Sequence, residues 1–104
     1  MAKIKAYFKR PDEEYGHSGY VSNTLENLQR NVGGYIECVT IIPETEDGPG
    51  VVVICDEEGR IKGEPFNCYY DGIGFCGDIV IVGCQGEDFC DIPITWEEHK
   101  RMVE

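Results

Sequence analysis

The run NTLENLQRNVGGYIECVTII, residues Asn23 to Ile42, holds a helix, its stop signal and a strand in sequence. Asn23 is placed to cap the helix, because its side-chain oxygen can take a free backbone N–H of the first turn. Glu26, three residues on, can reach back to that cap, which makes a capping-box-like start. Leu25, Leu28 and Val32 fall at i, i+3 and i+7 and form one apolar stripe. Gly33 and Gly34 stop the helix, since glycine takes the left-handed conformation without a Cβ penalty. The following YIECVTII is dense in β-branched and aromatic residues, which favour strands. Only Glu37 is charged in it, so it reads as a covered, interior strand.

Working outward, Lys3 to Phe8 alternates, with Ile4, Ala6 and Phe8 on one face and Lys3, Lys5 and Tyr7 on the other. That pattern predicts a half-buried strand, with lysines of the kind that guard a sheet edge. Gly19 to Ser22 is read as its returning partner in a hairpin. Pro43 to Gly50 is an acidic turn, and Val51 to Cys55 (VVVIC) is a second interior strand. Asp56-Glu57-Glu58-Gly59 fits a type I turn with glycine in a left-handed bulge position. Arg60 to Lys62 is then expected to return as a strand. Gly63 to Gly77, rich in glycine and aromatics, is read as a loop with at most one helical turn. Asp78 to Cys84 is the last expected strand, and Gln85 to Pro93 an acidic connection. Thr95 and Glu98 open a closing helix with a capping box, and Lys100 and Arg101 suit its negative end.

Runs of strands rather than strict βαβ alternation predict an α+β fold. The expectation is one domain over residues 1–104, with a mixed, mostly antiparallel sheet of four to six strands. One helix packs on a face and a short helix closes the C-terminus. A chain of 104 residues buries roughly 65% of its unfolded surface and needs no disulfide to fold. There is no apolar run of about 20 residues for a membrane span, and MAKIKAYFKR lacks the apolar core of a signal peptide. A cytoplasmic protein with reduced cysteines is expected.

The net charge is −11, and between Asn31 and His99 only Arg60 and Lys62 oppose fifteen carboxylates. Such a field repels nucleic-acid phosphates and anionic membranes, while it steers a basic protein partner inward. It also simply keeps a small protein soluble.

Motifs narrow the chemistry. Gly72-Ile73-Gly74-Phe75-Cys76-Gly77 is a literal GxGxxG. A dinucleotide site needs a strand before it and a helix after it, whereas here a strand follows, so a glycine-rich loop is the reading kept. None of the six cysteines pairs at zinc-knuckle spacing. Cys38, Cys55 and Cys84 lie in expected strands and read as buried thiols. Cys68, Cys76 and Cys90 lie in expected loops, where a zinc site with a histidine requires them to meet. A Cys–His nucleophile needs His17 or His99 beside a loop cysteine in a positive setting, and these surroundings are acidic. No GxSxG, HExxH or P-loop is present, and no acidic run has the alternate spacing of a calcium loop. No catalytic, cofactor-binding or metal-ligating residue is therefore assigned. The candidate contact residues are the aromatics Tyr69, Tyr70 and Phe75 and the turn carboxylates Asp56, Glu57, Glu58, Glu87 and Asp88. Loop aromatics anchor partners or pack over a sheet end.

The segments NTLENLQRNVGGYIECV, VVVICDEEGRIKGEPFN and GDIVIVG followed by GEDF resemble domain-of-unknown-function family 3846 over most of residues 20–92. The resemblance implies a single α+β domain and a setting among phages, plasmids and other mobile elements. It supplies no catalytic residues. The functional expectation is a non-enzymatic acidic domain that binds a protein, with a basic partner favoured by charge. Alternatives are a small-molecule or nucleotide-derivative binder using residues 63–77, and a zinc- or cysteine-dependent enzyme.

Overall fold

The computed structural model describes residues 3–104. In chain order the elements are β1 (Lys3–Lys9), β2 (His17–Ser22), α1 (Leu25–Val32), β3 (Ile36–Ile42), β4 (Gly50–Asp56), β5 (Phe66–Tyr70), β6 (Ile73–Cys76), β7 (Ile79–Gln85), β8 (Asp88–Cys90) and α2 (Trp96–Met102). Six strands form one sheet in the order β2-β1-β7-β4-β3, with β8 paired to β7 past the stretch that β1 pairs. Each pairing in that sheet is antiparallel. The α+β class, the six-stranded sheet, the face-packed helix and the short closing helix all agree with the sequence reading.

The central strands explain the apolar runs. All seven residues of β4 are buried, and five of the seven in β7. Val52, Ile54, Val80 and Val82 meet Leu28 and Val32 of α1 on one face, together with Ile4, Ala6 and Val21. Val51, Val53, Ile79 and Ile81 point the other way, into a cluster with Tyr7, Cys68, Tyr70 and Phe75. Strands covered on both faces read as continuous hydrophobic runs, as VVVIC and IVIV do. The second layer is the β5–β6 hairpin with α2. The radius of gyration, 12.6 Å, is close to the roughly 13 Å of one compact domain of this size.

Several boundaries differ from expectation. The cap of α1 is Thr24, whose Oγ1 accepts from the Asn27 N–H at 3.2 Å. Asn23 is drawn away because its Nδ2 donates to the Phe89 carbonyl at 3.2 Å. Glu26 pairs forward with Arg30 instead of reaching back. Leu25 is exposed, so the buried stripe is Leu28 and Val32 alone. Gly33 ends the helix at φ 84° as expected, its N–H donating to the Gln29 carbonyl at 2.8 Å.

β3 is an edge strand, not an interior one, and β1 is interior, not at an edge. Tyr7, on the expected polar face of β1, is buried, as is Lys9 beyond it, because the hairpin and α2 cover that face. The Arg60–Lys62 strand is absent. Asp56 accepts from the Glu58 N–H at 2.9 Å, and Lys62 N–H donates to the Glu58 carbonyl at 2.9 Å, which winds residues 57–63 into turns. Residues 63–77 are not a loop but the β5–β6 hairpin. Its turn is Asp71-Gly72, with φ 50° and 82°. Positive φ at both central residues is what a type I′ hairpin turn demands, and Asp-Gly is among its favoured pairs. The connection after β7 holds the short strand β8. The Thr95–Glu98 capping box forms with both its bonds, at 2.9 and 3.1 Å.

Candidate functional site

The richest surface lies where the end of β4, the 57–63 turns and β6 meet. Asp56 ends β4 with its side chain 1% exposed, and Lys62 Nζ donates to its Oδ2 at 2.8 Å. The same ammonium donates to the Gly33 carbonyl at 3.2 Å, at the negative end of α1. The hydrogen bond from Lys62 holds the Asp56 carboxyl below its ordinary value. Glu64 lies beside them, and its Oε2 is buried with no hydrogen-bond partner among the described residues. Burial first, and then the neighbouring Asp56 carboxyl, push the Glu64 pKa above its ordinary value. Gly34, Gly59 and Gly77 line this cluster. A Cβ at Gly34 would lie 2.6 Å from Lys62 Nζ, one at Gly59 would lie 2.9 Å from Glu64 Oε2, and one at Gly77 would overlap that same oxygen. These glycines leave the space the charged groups occupy.

Anchored this way, the turns form one wall of a cleft of about 380 Å³. Glu37 and Val39 of β3, Cys55 of β4, and Ile73 and Phe75 of β6 line it with Arg60 and Ile61. Ile61 is 84% exposed and Ile73 40% exposed, so the rim is apolar and open. Arg60 also donates to the Gly74 carbonyl at 3.4 Å, tying the turns to β6. On the outer face of the hairpin, Phe66 and Tyr69 are half exposed with ring centroids 5.1 Å apart. Both rings lie over Gly74.

The sequence-derived contact residues divide accordingly. Tyr69 is at the surface, and Glu57 and Glu58 stand exposed on the turns. Tyr70 and Phe75, read as candidates for partner contact or for packing over a sheet end, belong to the core at 0% and 4% exposure. On β5 and β6 they face the sheet, because side chains alternate across a strand. Asp56, expected as a solvated turn charge, is the buried end of an ion pair. Glu87 and Asp88 are exposed at the β7–β8 turn, at the other end of β4 from Asp56. They sit near Glu44, which accepts from the Gly86 N–H at 2.9 Å. Sequence reasoning missed Ile61, Phe66 and Ile73. The Asp-Gly turn signal would have revealed the hairpin that displays two of them.

Each of the two histidines makes a hydrogen bond. His99 is fully buried, its Nε2–H donating to the Tyr15 carbonyl at 2.7 Å and its Nδ1 accepting from the Tyr70 hydroxyl at 2.9 Å. Burial keeps it neutral by pulling its pKa down. His17 contacts Glu13 at 2.8 Å and stacks on Phe8. Cys55, which lines the cleft, is pushed up to about 12 by burial and by Glu37, so it remains a thiol at neutral pH. Cys38, expected as a buried thiol, is exposed, a consequence of its edge strand. Cys68 lies in β5, Cys76 in β6 and Cys90 in β8, and among the described residues no group of three or more ligating side chains is placed to hold a metal. Gly72 to Gly77 forms a turn and a strand followed by β7, without the helix a pyrophosphate requires. Among the described residues no helix is long and apolar enough to cross a membrane.

No curated protein and no solved structure matches the chain. The family model described as domain of unknown function DUF3846 matches residues 4–103, and the chain belongs to that family.

Proposed function

We propose that this chain is a non-enzymatic, acidic protein-binding domain of mobile-element origin, acting in the cytoplasm on a basic protein partner in an accessory or host-interaction role. The observation that carries the reading is the apolar group Ile61, Phe66, Tyr69 and Ile73, exposed on a tied-down hairpin and its adjoining turns. Exposed aromatics on a rigid support lose little conformational entropy on binding and serve as anchors. The net charge of −11 supports a basic partner, argues against direct contact with nucleic acid or an anionic membrane, and fits mimicry of a nucleic-acid backbone.

The test is capture of partners from host lysate by the tagged chain, followed by a salt series on the purified pair. Affinity is expected to fall steeply as salt rises, because screening shortens the reach of exposed charge. Replacing Phe66 and Tyr69 by serine is expected to weaken capture by about tenfold or more. Salt-independent binding sinks the mimicry version, and full binding by the double variant sinks the role given to the hairpin. The cleft beside β6 favours one second reading, a small-molecule or nucleotide-derivative binder using residues 63–77. A thermal shift against a metabolite panel separates the two, since a ligand of the native state raises stability by mass action.

A further inference from the structure

Among the described residues β3 ends the sheet with one side unpaired. The Glu57 N–H donates to the Tyr35 carbonyl at 2.8 Å, so Tyr35 turns its main-chain groups toward the β4 side. In an antiparallel ladder this direction repeats every second residue. Glu37 and Val39 therefore also face β4, and Ile36, Cys38 and Thr40 turn their N–H and C=O groups outward. The register shift between Thr40 and Ile42 ends that regular run. Edge strands are commonly blunted by lysine or proline. Ile36 to Thr40 contains neither.

The surroundings select what can pair there. Glu37 lies in the middle of the strand, Glu57 and Glu58 beyond one end, and Glu44, Glu46 and Asp47 beyond the other, all exposed. Lys62 is committed to Asp56, which leaves Arg60 as the nearby counter-charge. The cleft adjoins the face of β3 that carries Glu37 and Val39, so alternate side chains of an added strand would reach Ile61 and Ile73. A second copy of the chain fits poorly, because two-fold pairing sets the same six carboxylates against each other.

We propose that β3 binds an extended basic segment of a partner protein as an added strand, its outward main-chain groups at Ile36, Cys38 and Thr40 pairing with the segment while alternate apolar side chains enter the cleft. This rests on the protein-binding reading above and names the mode and the partner's chemistry.

The probe is a short peptide alternating lysine and valine, titrated at low salt into the isotope-labelled full chain. Amide shifts and slowed hydrogen exchange are expected at Ile36, Cys38 and Thr40. A version N-methylated along one edge, and one with glutamate for lysine, are each expected to bind about tenfold more weakly or worse. Shifts that leave the β3 amides untouched, or equal affinity for the N-methylated peptide, overturn the proposal. So does concentration-dependent dimerisation that protects those amides without peptide, which assigns the edge to a second copy. Cys38→Pro removes an outward N–H that β4 does not use, a position where an edge strand tolerates proline. If that variant melts early, the paired charge reversal Glu37→Lys with Glu57→Lys serves instead, with weaker peptide binding expected. A folded Cys38→Pro chain that captures the same lysate protein as the parent overturns edge docking and leaves the protein-binding reading standing. Failure of lysate capture with intact peptide docking at β3 does the reverse.

Discussion

His99 shows at the residue scale how a group that looks reactive is used for packing. Both its ring nitrogens are hydrogen-bonded, and its ring lies within 5.5 Å of those of Tyr7, Tyr70 and Trp96. Tyr70→Phe leaves Nδ1 buried without a donor and is expected to cost about 1–3 kcal/mol in urea unfolding at neutral pH. The folded-state pKa of His99 lies below the ordinary value. The unfolded chain therefore takes up its proton first, and the stability tied to the neutral ring falls as pH drops below about 6.5. A His99→Gln chain, less stable overall, is expected to lose that slope. Glu64 and Asp56 act in opposite directions. Asp56, depressed by Lys62, contributes stability above its unfolded value that is lost as acid titrates the folded carboxylate. Glu64, raised by burial, contributes stability below its unfolded value that is lost as pH rises through the folded one. Glu64→Gln keeps the shape without the charge. It is expected to match or exceed the parent at pH 7 in urea midpoint, and a clearly lower midpoint there shows that folding does not penalise the ionised carboxylate.

At the scale of elements, two turns and a cap separate signals that are readable in the chain from those displaced by tertiary bonds. Thr24→Ala is expected to cost about 1 kcal/mol in chemical denaturation, because it removes the acceptor for the Asn27 N–H. Asn23→Ala, which loses only the bond to Phe89, is expected to cost less. Asn23 has the better chemistry for a cap, and it fails there because β8 claims its side chain. Gly72→Ala, at φ 82°, is expected to cost about 1 kcal/mol and to loosen the hairpin that carries Phe66, Tyr69 and Ile73. Melting curves of both glycine and cap variants against the parent check the ranking. The Asp-Gly pair is a legible turn signal, but the aromatics around it make two short strands read as a loop. The turn at Asp56–Gly59 was legible, and the Gly59 N–H donates to the Asp56 carbonyl at 3.1 Å, whereas the winding of residues 60–63 was not, because it depends on Lys62 meeting Asp56 and the end of α1.

At the scale of the whole molecule, a net charge of −11 on so small a domain repels itself. Raising the ionic strength is expected to raise Tm, and a gain of about 1 kcal/mol would appear as roughly 4 °C or more. A Tm that falls with salt in a scanning calorimeter shows instead that pairs such as Lys62–Asp56 outweigh the repulsion. By itself the sequence determined the α+β class, the helices with their stop and closing cap, and the strands β4 and β7. Those are set by hydrogen bonds and side-chain periods within a few residues, or by apolar runs that need cover on both faces. Only the tertiary structure decided that β1 lies inside the sheet and β3 at its edge, that Tyr70, Phe75 and Asp56 are buried, and that Ile61, Phe66 and Ile73 face outward. Strand order comes from pairings between distant segments, such as Tyr7 with Ile81 and Val53 with Ile81. A strand's own residues carry little record of which neighbour it meets, so its burial becomes known only when the whole sheet is assembled.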